Sequence, residues 1–173
     1  MMKQFFCVIL LFLVSFQTLF ATHIVGGEPQ LLHISDDQYR VGLVLYFDDI
    51  NGERDALDFE IKLHAYSKRT NEKIETFRIA LKENFIIPFS QPECAESQIR
   101  VRRLYYWTDK TLKTENYTDS EGYYLVWERC CRNATIDNVN EASKIGQAFY
   151  LEFPALQNTE GTEFRNSTPS LFN

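Results

Sequence analysis

The sequence is poor in the residues that build reaction centres. It has 3 histidines and 4 cysteines among 173 residues. It holds no defensible serine–histidine–aspartate arrangement, paired acid motif or phosphate-binding glycine loop. Basic residues are outnumbered as well, and the formal net charge of −6 argues against nucleic acid or an anionic membrane as a partner. We therefore expect no enzymatic activity and no cofactor.

Long apolar runs are also absent, except at the N-terminus. Lys3 precedes an apolar run from Phe5 to Phe20, and the small residue Ala21 follows it. This layout is typical of a cleaved secretory signal, and the alternative is an uncleaved anchor helix. We predict a signal peptide over residues 1–21, and the remainder is too polar for lasting membrane insertion. The mature chain is expected to be secreted or on the cell surface, at the outer-membrane exterior.

The pattern of apolar residues predicts an all-β fold. Leu57, Phe59, Ile61 and Leu63 alternate with polar residues, which is the period of a half-buried strand. Similar segments recur between turn-forming residues. They predict an immunoglobulin-like antiparallel β-sandwich of about seven or eight strands over residues 22–160, with a linker or the start of a missing downstream region over 161–173. The remaining predicted strands are Tyr39–Phe47, Phe77–Leu81, Phe85–Phe89, Ile99–Trp107, Tyr123–Arg129 and Ala148–Phe153.

Three local features refine this prediction. The alternation slips at Arg102 and Arg103, where a β-bulge would absorb the change of phase. Asp119 and Gly122 precede Tyr123 and Tyr124, either of which is suitably placed to form the tyrosine corner of a β-sandwich. Trp127, on the following strand, is expected to be a core residue, since large aromatics on central strands usually pack inside. A helical turn is predicted only within residues 136–144.

The cysteines predict a disulfide bond. Removal of the signal leaves Cys94, Cys130 and Cys131. A bond from Cys94 to either member of the pair would close a loop of roughly forty residues and stabilise the fold by about 3–4 kcal/mol. Adjacent strand residues point to opposite faces, so the two cysteines are expected to serve different partners. A bond between Cys130 and Cys131 themselves would strain the backbone and is not expected. Metal or redox chemistry is the alternative, but no histidine lies close in sequence.

Two further groups of residues are candidates for binding. Asp48, Asp49, Asn51 and Asp55 cluster around a glycine and offer oxygen ligands for calcium, although an Asx-rich hairpin turn explains them without an ion. The run of Tyr105, Tyr106 and Trp107 offers aromatic rings on which a ligand can stack. Such a platform requires at least two of these rings to be exposed and coplanar.

Five blocks of the sequence together resemble a known type of protein. They are THIVGGE (Thr22–Glu28), YRVGLVLYFDDING (Tyr39–Gly52), RRLYYWTD (Arg102–Asp109), EGYYLVWERCCRN (Glu121–Asn133) and GQAFYLEFP (Gly146–Pro154). In order and content they are similar to the N-terminal domain of large secreted Bacteroidetes surface proteins. Those proteins carry a gliding-motility-associated C-terminal sorting domain that the type IX secretion system uses.

The resemblance implies a non-catalytic module, structural or adhesive, of a bacterial surface protein linked to gliding motility. It implies a surface protein or a glycan as the partner. Such proteins continue into many further domains, whereas this sequence stops at Asn173. We therefore expect a truncated member whose downstream domains are missing. The alternative function is a carbohydrate-binding or accessory module of a secreted hydrolase, with Tyr105, Tyr106 and Trp107 as its stacking surface.

Overall fold

The computed structural model describes residues 23–52, 57–88, 100–132, 136, 138–157, 161, 163–165 and 167–168. The predicted signal peptide therefore lies outside the described residues. No helix within these ranges is both long enough and apolar enough to cross a membrane. The described ranges contain seven strands, which are β1 (Ile24–Ser35), β2 (Gln38–Asp48), β3 (Glu60–Ser67), β4 (Lys73–Ile86), β5 (Val101–Thr111), β6 (Tyr123–Arg129) and β7 (Gln147–Phe153).

The strands form two antiparallel layers that share one long strand. Their order is β1-β2-β5-β4-β3-β6-β7. Residues Glu75–Ala80 and Lys73 of β4 pair with β3, whereas its last residues, from Leu81 to Ile86, pair with β5. This order matches the two sheets of a constant-type immunoglobulin domain, A-B-E-D and C-F-G. The predicted all-β immunoglobulin-like sandwich is confirmed.

Side chains from both layers fill the space between them. Alternate residues of β2 point inward, and Leu43, Leu45 and Phe47 are at most 1% exposed. Trp127 on β6 is 4% exposed and its ring stacks on that of Phe149, so its predicted core position is confirmed. Each fully buried side chain of this size contributes about 1.5–3 kcal/mol of hydrophobic stabilisation. This burial holds the two layers face to face.

The tyrosine corner is present and involves Tyr123. The hydroxyl oxygen of Tyr123 accepts a hydrogen bond from the backbone N–H of Asp119. Tyr124, the other candidate, points to the outer face and donates to Asn71 instead. The corner ties the connection that precedes β6 to the start of that strand.

Strand β1 was not predicted, because its sequence contains Gly26, Gly27 and Pro29, which are poor strand formers. The structure tolerates them because β1 is an edge strand, where a missing N–H breaks no ladder. Gly27 is also required by close packing. A Cβ atom there would lie 2.7 Å from the Leu45 side chain and 2.8 Å from the Phe149 ring.

Two predictions about the strands are wrong, one about a bulge in β5 and one about the extent of β4. The pairing of β2 with β5 runs without a shift from Gln38–Thr111 to Asp48–Val101, so there is no bulge at Arg102 and Arg103. Because β5 alternates without a bulge, Tyr105 lies on the outer face of its sheet. The predicted strands around Phe77 and Phe85 are one continuous strand, β4, whose pairing with β5 shifts between Leu81 and Glu83.

The alternation that begins at Leu57 predicts that Phe59 is buried, and this prediction is also wrong. Phe59 is 82% exposed, whereas Ile61 and Leu63 are buried as predicted. The reason is that β3 begins only at Glu60, so the side chain of Phe59 is not held to the face that the alternation assigns.

Part of the predicted linker packs against the sandwich. The backbone N–H of Thr168 donates to the carbonyl of Leu31 at 3.0 Å, and the N–H of Leu31 donates to the Thr168 hydroxyl at 3.2 Å. The N–H of His33 donates to the Ser167 hydroxyl at 2.9 Å. These bonds satisfy backbone groups along the outer edge of β1. The predicted helical turn reduces to one short 3-10 segment, Ala142–Lys144, and another lies at Thr114–Asn116.

Candidate functional site

The cysteine pair at the end of β6 has a different pairing from the predicted one. Cys130 and Cys131 are bonded to each other. Strand alternation does not extend to this pair, because β6 ends at Arg129 and Cys131 has a positive φ of 74°, so the two side chains do not point to opposite faces. Cys94, the expected partner, lies outside the described residues.

Two clefts flank the end of β6. One, of about 550 Å³, is lined by Cys130 and by residues of β6, β7 and the segments beside them. The other, of about 510 Å³, lies between β3 and β6. This second cleft exists because β3 pairs with β6 only from His64 to Ser67. The residues of β3 that precede His64 pair with β4 but not with β6. The cleft therefore lies where the two strands diverge.

Charges of both signs line the cleft between β3 and β6. Asp58 and Arg129 form an ion pair across it. Burial raises the pKa of the Asp58 carboxyl, and the positive charge of Arg129 opposes that shift. Glu60, Lys62 and Glu128 also line the cleft. This mixture produces no patch of one sign that would select a strongly charged ligand.

The three rings proposed for ligand stacking do not form a platform. Tyr106 is 0% exposed and its hydroxyl donates to the carbonyl of Asp58 at 2.7 Å. Burial accordingly raises the pKa of Tyr106 far above its usual range. Tyr105 is on the opposite face and is 9% exposed, while Trp107 is half-buried. Because strand alternation separates adjacent rings, the run Tyr105–Trp107 cannot present three rings together.

Arginine side chains cover the outer face of the β1-β2-β5-β4 sheet. The guanidinium carbon of Arg40 lies 3.8 Å from the centre of the Trp107 ring, and that of Arg103 lies 4.7 Å from the Tyr105 ring. Arg40 also makes a bidentate ion pair with Asp109, at 2.8 and 3.0 Å. These layers bury Val44 completely, although it points away from the core. This face is sealed by its own side chains.

The calcium candidates are engaged by other groups. The Asp48 carboxylate accepts hydrogen bonds from the backbone N–H groups of Ile50 and Asn51 and from the Asn51 side chain. Burial alone would raise the pKa of Asp48, but these hydrogen bonds outweigh it and lower the pKa. Asp55 lies outside the described residues. In the part of the chain that the structure describes, no group of three or more His, Cys, Asp or Glu side chains converges as a metal site.

Asp49 is a structural carboxylate. Its side chain is fully buried and lies between Arg100, at 2.8 Å, and Arg102, at 2.5 Å. Two guanidinium groups therefore occupy the oxygens that calcium would need.

The outer face of the other sheet carries a row of tyrosines that the sequence argument did not identify. Tyr66, Tyr124 and Tyr150, which we call the tyrosine row, lie on β3, β6 and β7. The ring centres of Tyr66 and Tyr124 are 5.2 Å apart with 12° between their planes, because the two residues are paired across the strands. The centres of Tyr124 and Tyr150 are 5.0 Å apart at 36°. Tyr150, at the open end of the row, is 51% exposed.

Neighbouring rings of the tyrosine row pack against one another. The rings of Tyr66 and Tyr124 form an offset stack, in which each ring covers part of the other, and the ring of Tyr150 packs against Tyr124 in a tilted arrangement. The row therefore presents ring edges and hydroxyls, with one ring face accessible at Tyr150. The hydroxyl of Tyr150 donates to Glu152 at 2.6 Å, which raises the pKa of Tyr150 to about 12. An ion pair between Lys68 and Glu152 borders the row.

A sequence signal for the row exists. Each of the three tyrosines occupies the polar phase of its strand, where an alternating pattern places solvent-facing side chains. A large aromatic ring in that phase on several strands indicates an exposed aromatic surface.

Comparison with known proteins provides no assignment: no protein family, no curated protein and no solved structure matches this chain.

Proposed function

We propose that the chain is a non-catalytic adhesive module of a secreted or cell-surface protein, and that the tyrosine row is its contact surface. The observation that carries this proposal is the row itself. Three neighbouring rings lie across three paired strands, whereas arginine side chains cover rings on the outer face of the opposite sheet. Tyrosine is among the residues enriched at the energetic centres of protein interfaces, because it offers a large contact area with few rotatable bonds.

The shape of the row favours a protein partner over a sugar. A sugar ring stacks on a flat and open aromatic face, whereas here neighbouring rings cover one another. Ring edges, hydroxyls and the adjacent ion pair of Lys68 and Glu152 suit a mixed apolar and polar protein surface. We therefore propose a surface protein as the partner.

The cellular setting rests on the sequence. The N-terminal signal supports export, and the resemblance of five sequence blocks supports a bacterial surface protein of the gliding-motility type. A non-catalytic role rests on the lack of any defensible catalytic motif in the sequence. Protease treatment of intact cells tests the location. Loss of the protein from intact cells supports surface display, and full protection of the protein contradicts it.

Binding of the labelled domain to cells of the source organism tests the contact surface. Replacing Tyr66 and Tyr124 together by alanine should weaken binding about 10-fold or more, since buried interface tyrosines contribute at this level. The matched control is Tyr46→Ala, which removes a partly buried tyrosine from the outer face of the other sheet. Circular dichroism confirms that each variant is folded. Equal binding by both variants would contradict the proposal.

Treatment of the cells distinguishes the two kinds of partner. Proteolysis of the cell surface should abolish binding, whereas periodate oxidation of its sugars should leave binding intact. The reverse result would reject a protein partner and support a glycan.

A further inference from the structure

The two edges of the sandwich differ in how they are protected. The outer edge of β1 is covered at Leu31 and His33 by hydrogen bonds to Ser167 and Thr168. Strand β7 is the other edge, and within the described ranges its backbone pairs only with β6. An uncovered edge presents a row of unpaired N–H and C=O groups that readily pairs with another strand.

Strand β7 also lacks the features that usually protect an edge. Its seven residues, QAFYLEF, contain one charge, at Glu152, and no proline or glycine. It pairs with β6 in an unbroken register from Tyr123–Phe153 to Arg129–Gln147, so no bulge turns it away. A groove of about 430 Å³ lies between the Ala148–Leu151 stretch of β7 and residues Gly27, Pro29 and Thr168. The strand is regular, weakly charged and accessible.

We propose that β7 pairs antiparallel with β7 of a second copy of this chain, producing a two-fold symmetric dimer with a continuous sheet. A second copy suits this edge because the strand is self-complementary. When Tyr150 lies opposite Tyr150 of the second copy, Ala148 lies opposite Glu152. The only charge of the strand then faces an alanine instead of its own copy, so no like charges meet.

The tyrosine row supports the same arrangement. Tyr150 ends the row on β7, and its outer ring face has no aromatic neighbour among the described residues. In the dimer this face meets Tyr150 of the second copy, so two rows of three rings become one row of six. On the inner side, the partly buried residues Phe149 and Leu151 lie opposite each other across the two-fold axis.

Sedimentation velocity over a range of concentrations tests the dimer, with purified non-reduced protein whose free thiol has been alkylated and with no ligand. We expect reversible, concentration-dependent association, since a strand-to-strand contact is small compared with an obligate interface. Tyr150→Lys should abolish it by placing two like charges opposite each other. Ile34→Lys is the matched control, because Ile34 is 49% exposed on the covered edge strand and should be replaceable without effect.

A pair of variants at Ala148 tests the register. Ala148→Lys places a positive charge opposite Glu152 of the second copy at two symmetric positions and should tighten the dimer about 2- to 30-fold. Ala148→Glu should weaken it. Ala148 is exposed, so both variants should fold.

Three results would overturn the proposal. They are a monomer at every concentration, equal responses to Tyr150→Lys and Ile34→Lys, or Ala148→Lys and Ala148→Glu acting in the same direction. The dimer is measured without any adhesive partner. Failure of dimerisation therefore leaves the proposed adhesive function standing, and failure of cell binding leaves the dimer standing.

Discussion

The hydroxyl oxygen of Tyr123 lies 2.7 Å from the backbone nitrogen of Asp119, four residues earlier in the chain. This bond closes the tight connection into β6. The Tyr123 side chain is 3% exposed and its ring packs against Phe153, so the hydrogen bond is shielded from solvent. The connection before β6 is thereby fixed to the core.

Removing this hydroxyl should destabilise the domain. Tyr123→Phe keeps the ring but leaves the N–H of Asp119 without its partner, which we expect to lower the free energy of unfolding by about 1–3 kcal/mol. Urea denaturation measures the change. Tyr124→Phe is the control, since its hydroxyl donates to Asn71 at the surface and its loss should change stability by less than about 0.5 kcal/mol. Equal effects of the two substitutions would reject this role for Tyr123.

Asp119 should make the free energy of unfolding depend on pH in the acidic range. A hydrogen bond from the Ser67 hydroxyl, together with bonds from Arg69 and the N–H of Glu121, lowers the pKa of the carboxyl below its usual 3.8. A lowered pKa in the folded state means that the contribution is complete above pH 3.8 and is lost as the pH falls through the folded-state pKa.

Ser67→Ala should therefore raise the pKa of Asp119 toward 3.8 and reduce the loss of stability in acid. Carboxyl ¹³C NMR titration measures the pKa directly, and urea denaturation through the acidic range measures the stability. Ser120→Ala, in the same connection, is the control and should leave the titration unchanged. An unaltered pKa of Asp119 in Ser67→Ala would show that the hydroxyl does not hold the carboxylate.

Asp49 should be one of the most sensitive polar positions. Its buried carboxylate pairs with Arg100 and Arg102, so Asp49→Asn leaves two guanidinium groups without their counter-charge. Because the Arg100 side chain is 47% exposed and that of Arg102 is 15% exposed, water partly replaces the lost charge, and the substitution should cost about 1–3 kcal/mol of unfolding free energy. The control is Asp109→Asn, which breaks the exposed pair with Arg40 and should cost at most about 1 kcal/mol. Chemical denaturation compares them, and similar losses would argue against a structural role for the Asp49 pair.

The bond between Cys130 and Cys131 can be checked by mass spectrometry. Digestion of the non-reduced protein should yield a peptide that contains both cysteines and is lighter by two hydrogen atoms than its reduced form. Cys94 should then react with an alkylating reagent before reduction, because Cys130 and Cys131 are bonded to each other. A peptide that joins Cys94 to either of them would instead support the pairing predicted from sequence.

The position of an aromatic residue could be predicted where it lies inside a strand and not beside the end of one. The inner residues of β2 followed from alternation, and the burial of Trp127 followed from the tendency of large aromatics on central strands to pack inside. Phe59 did not, because its exposure depends on β3 starting one residue later. Strand β1 was missed because its glycines and proline are acceptable only at an edge, and sequence alone does not reveal which strands are edges.

The candidate site was less predictable than the fold. Tyr105, Tyr106 and Trp107 are adjacent in sequence, and the alternation of the strand sends Tyr106 into the core and the other two rings to the outer face, where arginines cover them. Tyr66, Tyr124 and Tyr150 are far apart in sequence, and the pairing of β3, β6 and β7 brings them together. Neighbours in a sheet are set by long-range strand pairing, which local patterns do not encode.

By itself, the sequence determined the all-β class, the turn that carries the tyrosine corner and most of the core, because strand period and turn chemistry are local properties. Only the tertiary structure decided which face is sealed by arginines and which carries tyrosines. It also decided that Ser167 and Thr168 cover part of the edge of β1, whereas β7 pairs with no strand other than β6 among the described residues. These features depend on strand order and register, and those are settled by contacts between residues that are distant in the chain.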